Sequence, residues 1–193
     1  KGVLTLSGYL AGKFAGLHPF AMSASLTFEQ TYSEIEGDSA AVAELVAILS
    51  SLADLPIRQY LAVTGSVNQL GEVQPIGGVN EKIEGFFESC ARRGLTGKQG
   101  VIIPARNTKH LALRRDVVEA VEGGRFTVYA VNTVEEAVEL LTGVPAGDRG
   151  LDGLYPHDTV FGRAAARLEE MAEAVSQWGE GEERPGGRII PEP

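Results

Sequence analysis

Between residues 40 and 52 the chain carries hardly any polar face. Val42, Leu45, Val46, Leu49 and Leu52 recur at helical spacing, and Ala43, Ala47 and Ile48 widen the stripe until it nearly closes round the helix. A helix apolar on almost every side belongs in the middle of a fold, so other elements must pack on it from several directions. Pro56 follows its end as a stop. A chain of 193 residues is long enough to supply that cover.

The elements that supply it are expected as follows. Residues 2–14 and 20–32 read as two antiparallel strands, the second alternating Phe20, Met22, Ala24, Leu26 and Phe28 with the small residues Ala21, Ser23, Ser25 and Thr27. A short buried strand runs over 60–66 and another over 71–76, joined as a hairpin round Asn68-Gln69-Leu70-Gly71. Gly77-Gly78 turns the chain into a helix over 79–93, with Val79, Ile83, Phe86, Phe87 and Cys90 on its buried stripe and Gly94 at its end. A strand over 99–103 closes at Pro104; a helix over 107–122, a strand over 126–131 and a helix over 134–142 capped by Thr133 follow. The strand-helix-strand-helix order from Val101 onward implies a small parallel sheet. The fold class is α/β (α+β). Residues 1–142 form one domain, and 143–156 read as a Gly, Pro and Asp-rich linker. Residues 157–178 read as an amphipathic helix and 179–193 as a disordered tail.

Composition narrows the function classes. The net charge is -9 and the basic residues are spread thinly, which disfavours a nucleic-acid groove. At 44% hydrophobic and 22% charged, with no long apolar run, the sequence offers no membrane partner. Its one cysteine, Cys90, rules out an internal disulfide framework, suits a reducing, cytoplasmic compartment, and reads as core packing. No signal-peptide pattern opens the chain. Lys1-Gly2 leads straight into Val3-Leu4-Thr5-Leu6, which reads as a cut inside a longer protein.

Two residues carry candidate chemistry. Ser39 stands at the mouth of the apolar helix, beside free backbone N–H groups and the positive end of the helix dipole, where an oxyanion could be held. Lys82 lies in the first turns of the helix after Gly77-Gly78, on the border of its buried stripe. Apolar neighbours there would desolvate the amine and favour its neutral form. A serine needs a base to take its proton, and a neutral lysine can serve. The bland alternatives are that Ser39 is a helix cap, Lys82 a solvated surface lysine and Gly77-Gly78 only a turn. The histidines His18, His110 and His157 stand in no nucleophile-elbow context, and no Gly-x-Ser-x-Gly occurs. Spacing alone leaves these readings open.

Four motifs in order add to this: Glu36-Gly37-Asp38-Ser39-Ala40, Val63-Thr64-Gly65-Ser66, the run from Gly71-Glu72-Val73-Gln74 through Gly77-Gly78-Val79-Asn80-Glu81-Lys82, and Val101-Ile102-Ile103-Pro104. Over roughly residues 30–142 the sequence resembles the proteolytic domain of the Lon protease family. The resemblance implies a serine peptidase with a Ser-Lys dyad, in which Ser39 attacks the peptide carbonyl and Lys82 is general base. It further implies that Thr64 orients the lysine amine, that Glu36 takes the place of an acidic residue important in some members, and that backbone N–H groups near Asp38 and Ser39 form the oxyanion hole. Asp38 and Ala41 stand where the commoner bacterial type has Pro and Gly, so the motif is closer to the archaeal-type and Lon-like bacterial branches.

The family also implies unfolded or damaged proteins as substrates, self-association into a six-membered ring, and an ATP-driven AAA+ domain before this one. No Gly-x-x-x-x-Gly-Lys-Ser/Thr occurs, so the fragment itself is expected to bind no cofactor and ATP is left to a missing AAA+ domain. The competing readings are a non-catalytic Lon-like module for assembly or binding, and a Ser-His enzyme using His110.

Overall fold

The computed structural model describes residues 2–16, 22–27 and 38–180. The apolar helix, α2 (Ala41–Ala53), lies at its centre: Val42, Leu45, Val46 and Leu49 are at most 1% exposed. Burying each such side chain contributes about 1.5–3 kcal/mol before the entropic costs of folding are counted. The helix ends where Asp54 adopts a left-handed conformation (φ 50°), with Pro56 beyond it.

Beside α2 runs a three-stranded parallel sheet in the order β1 (Leu61–Val63), β4 (Gly100–Pro104), β5 (Thr127–Val131). The hairpin of β2 (Ser66–Val67) and β3 (Val73–Gln74) lies between β1 and β4 in sequence. The central strand β4 is buried throughout, as a parallel strand covered on both faces must be. Ile102 packs into the core around α2, while its neighbours Val101 and Ile103 pack into a second core with Val79, Ile83 and Phe87 of α3 (Val79–Arg93). The period-2 geometry of one strand thus separates two cores. Two further helices, α4 (Arg115–Glu122) and α5 (Val134–Thr142), follow β4 and β5. Thr133 caps α5, its hydroxyl accepting from the Glu136 N–H at 3.3 Å. Thr133→Ala is expected to lower stability by about 1 kcal/mol, read as a shifted urea midpoint at unchanged slope.

Three expectations need correction. Residues 2–14 are not a strand but helix α1 (Gly2–Phe14). Leu6, Tyr9 and Leu10 are its buried positions, an i, i+3, i+4 set that the strand reading took for alternation. Residues 22–27 form no strand either, and 23–27 are exposed; the remainder of the expected second strand lies outside the described residues. The N-terminal antiparallel strands are therefore absent among the described residues. The helix expected over 107–122 is broken into a 3-10 helix (Ala105–His110), a non-helical piece at 111–114, and α4. Side chains of α3 break it. Asn80 accepts from the Ala112 N–H at 3.0 Å and Glu84 from the Arg114 N–H at 2.8 Å, taking those amides away from a helical ladder.

The last helix, α6 (Val160–Glu180), begins inside the first core. Val160, Phe161 and Ala164 are fully buried against α2, and the Val160 and Phe161 N–H groups donate to the carbonyls of Pro145 and Ala146. The Gly/Pro-rich stretch before it is thereby tied to the body, and residues 179–180 are helical; the rest of the expected tail lies outside the described residues. The C-terminus of α1 is held by the same region, where Arg149 and the Tyr155 hydroxyl donate to the Lys13 carbonyl. Among the described residues no helix is long and apolar enough to cross a membrane.

Candidate active site

Ser39 sits in the turn that leads into α2. The N-cap of that helix is Ala40, and no side chain caps it, so the Ser39 hydroxyl is not used as a helix cap. The backbone around Ser39 is pinned to the end of β1. Gly65 N–H donates to the Ser39 carbonyl at 2.8 Å, and the Gly65 carbonyl accepts from Val42 N–H at 3.1 Å. This close approach explains the glycine, since a Cβ there would lie 2.9 Å from Val42 Cγ2 and 3.0 Å from Val73 Cγ1.

Lys82 arrives from the opposite side. Gly78, in a left-handed conformation (φ 66°), is the N-cap of α3, and its carbonyl accepts the Lys82 N–H at 3.1 Å. The side chain then spans to Ser39: Lys82 Nζ lies 2.9 Å from Ser39 Oγ and 3.3 Å from Thr64 Oγ1. Thr64 is buried, and its hydroxyl donates to the Ser39 carbonyl at 3.2 Å.

A threonine hydroxyl has one proton and two lone pairs. With its proton spent on the Ser39 carbonyl, Thr64 faces Lys82 as an acceptor. It therefore takes an N–H of the amine, and in a neutral amine this leaves the lone pair free to face Ser39 Oγ. The arrangement suits proton transfer from serine to lysine.

The expected desolvated setting of Lys82 is not observed. The residue is exposed in this chain, because the buried stripe of α3 narrows to Val79, Ile83 and Phe87 and Lys82 falls on its flank. Its amine is held by two hydroxyls rather than by apolar walls.

Asp38 is exposed, and its carboxylate accepts from the buried Ser66 hydroxyl at 2.6 Å, which anchors the residue preceding Ser39. Glu36 lies outside the described residues, as does His18. His110 offers its carbonyl to Asn80 Nδ2 at 3.1 Å, while the side-chain partner of Ser39 Oγ is Lys82. Cys90 is half-buried, and burial pushes its thiol up from the ordinary value more than Arg93 draws it down. A thiol held protonated is a poor nucleophile. Sequence reasoning assigned no task to Ser66 or Asn107. Ser66 at least adjoins the Thr64-Gly65 pair, whereas nothing in the sequence marks Asn107, whose partner lies at Ile76.

The comparisons with known proteins fall on the same residues. The model of the Lon protease (S16) C-terminal proteolytic domain matches residues 33–143. A Lon protease homolog of Escherichia coli strain K12 is 54% identical over 141 residues, covering 73% of this chain and 24% of that protein. Its counterpart in Haemophilus influenzae is 48% identical over 174 residues, 90% of this chain and 29% of the relative. An archaeal Lon protease of Thermococcus kodakarensis is 41% identical over 113 residues, 58% of this chain and 16% of the relative. The chain thus spans less than a third of the length of these relatives. With its small parallel sheet flanked by helices and a family match that takes in Ser39, Thr64 and Lys82, the chain belongs to the Lon protease proteolytic-domain family.

Proposed function

We propose that this chain is the peptidase part of a larger Lon-type protein and cleaves peptide bonds through a Ser39–Lys82 dyad. The observation that carries this is the 2.9 Å separation of Lys82 Nζ and Ser39 Oγ. That distance lies within the reach required of a nucleophile and its base.

In the proposed reaction Ser39 Oγ attacks the carbonyl carbon while its proton passes to Lys82 Nζ. The resulting oxyanion is held by backbone N–H groups near Asp38 and Ser39, beside the positive end of the α2 dipole. The intermediate collapses as Lys82 returns the proton to the departing amine, leaving an ester on Ser39. Water then attacks the ester with Lys82 again as base, releasing the acid and restoring the serine. Thr64 orients the amine, and Asp38, held by Ser66, fixes the turn from which Ser39 projects. Glu36 is assigned a supporting role by its place in the motif alone.

The substrates proposed are unfolded or damaged proteins. The working form is a six-membered ring in the cytoplasm, with neither nucleic acid nor membrane as partner. ATP would be used by an AAA+ domain elsewhere in the longer protein, a reading supported by the much greater length of the aligned relatives.

The test is cleavage of an unfolded protein and of a fluorogenic peptide, with oligomer size followed by light scattering. The assembled wild type and His110→Ala should both cleave, and Ser39→Ala should not. An inert wild type in assembled form would favour a non-catalytic module, and a fully active Ser39→Ala would sink the peptidase reading. Thr64→Val keeps the shape of the residue but removes the acceptor for Lys82 and the donor to Ser39. It is expected to lower kcat roughly 10- to 100-fold with the fold retained by circular dichroism. An unchanged kcat would remove Thr64 from the mechanism.

A further inference from the structure

Asn107 is one of the few buried polar residues among those described, 3% exposed, and the proposed chemistry gives it no task. It stands in the 3-10 helix just after β4, far in sequence from both members of the dyad. Its side-chain amide closes a two-bond ring on a single residue. Oδ1 accepts from the Ile76 N–H at 3.0 Å, and Nδ2 donates to the Ile76 carbonyl at 2.9 Å. An amide that satisfies both backbone groups of one residue fixes that residue's orientation as well as its position.

Ile76 is followed directly by Gly77 and Gly78. Gly78 has no side-chain cap to steady it, and its carbonyl takes the Lys82 N–H. From Asn107 to the Lys82 backbone there is one clamp, one glycine turn and one helical hydrogen bond. Glycine turns are conformationally permissive, so the clamp before this one matters more than it would beside a stiffer turn.

The remaining parts of the site are tied to β4 directly. Ser39 and Thr64 are tied to one another through the Ser39 carbonyl, and Thr64 N–H donates to the Ile102 carbonyl of β4 at 3.0 Å. The Lys82 side chain is exposed, so no packed wall guides it. Where its amine falls depends on where the start of α3 is held. The segment leaving β4 holds it, through Asn107 on Ile76 and then through Asn80 and Glu84, which grip the backbone of residues 110–114. One strand is therefore the common reference for both halves of the dyad.

We infer that Asn107 is a positioning residue, registering the Gly77-Gly78 turn against β4 so that the Lys82 amine meets Ser39 Oγ. This inference rests on the Ser39–Lys82 reading. A displacement of about 1 Å at a reacting group can cost on the order of 100-fold in rate. Loss of the clamp should therefore slow each site without changing how substrate binds.

The experiment compares wild type, Asn107→Ala and Asn107→Asp in the assembled protein. Sites are titrated with a serine-directed fluorophosphonate, and kcat per titrated site and KM are measured on a fluorogenic peptide. The aspartate variant has nearly the same size and retains the acceptor for Ile76 N–H, but sets an oxygen against the Ile76 carbonyl; it decides the matter if the alanine variant does not fold. Expected is a full titre of sites, kcat per site lowered about 10- to 100-fold and KM within about twofold of wild type. A merely structural role would reduce the titre and leave kcat per site unchanged, which overturns the inference. A raised KM at unchanged kcat overturns it too, by placing Asn107 with substrate binding. If wild type shows no titratable serine, the dyad reading itself fails and takes this inference with it.

Discussion

Lys82→Ala is expected to lower kcat by roughly 10²- to 10⁴-fold or more while the chain stays folded. The lysine projects from an exposed flank of α3, so its removal leaves no cavity in either core. What it removes is the only side-chain partner that Ser39 Oγ has among the described residues. Lys82→Arg separates the two tasks the amine could perform. A guanidinium keeps a positive charge near Ser39 but stays protonated in proteins, so it has no lone pair with which to take the serine proton. The arginine variant should be nearly as slow as the alanine variant. Measured kcat for the two against wild type, at matched oligomer size, decides between a base and a charge. An arginine variant with near wild-type kcat would mean that Lys82 acts electrostatically and that another group accepts the proton.

Phe161→Ala is expected to cost about 3–5 kcal/mol, the largest stability effect of any single substitution considered. Phe161 is fully buried in the first turn of α6 and meets two other rings edge-on, Phe14 of α1 at 5.8 Å and Tyr155 at 5.4 Å. Its loss would empty the junction where α1, α6 and the stretch before α6 come together, and that junction lies against the helix that carries the Ser39 turn. If α6 were a helix beyond a free linker, the same substitution would hardly move the denaturation midpoint of the body. Urea unfolding therefore checks whether α6 belongs to the same cooperative unit as α2. A shift worth under about 1 kcal/mol would detach it.

Local signals carried much of the fold. The bounds of α3 were legible because a paired-glycine turn precedes it and Gly94 closes it. β4 was legible as an apolar run stopped at a proline, and α5 because Thr133 supplies a cap. The failures have a common cause, which is that the deciding partner lies elsewhere in the chain. For residues 2–14, the pattern Leu4, Leu6, Tyr9, Leu10 fits either period until one knows that Leu6, Tyr9 and Leu10 face a helical core. At residues 111–114 the helix is lost to the side chains of Asn80 and Glu84, some thirty positions earlier. The site divides in the same way. Ser39, Thr64 and Lys82 come from three elements, and spacing alone could not show that they converge; ordered motifs pointed to them together. The desolvated position argued for Lys82 does not occur, since a helical stripe inferred from sequence was wider than the face that α3 buries. Asn107 gave no signal at all, because its function depends on a backbone partner that any residue could provide.

The most direct single measurement is to treat the assembled wild-type protein with a serine-directed fluorophosphonate and map the adduct by mass spectrometry. The adduct should form on Ser39, and its rate of formation should fall in Lys82→Ala by at least about 100-fold. An adduct on another serine, or one on Ser39 that forms equally fast without Lys82, would contradict the Ser39–Lys82 dyad.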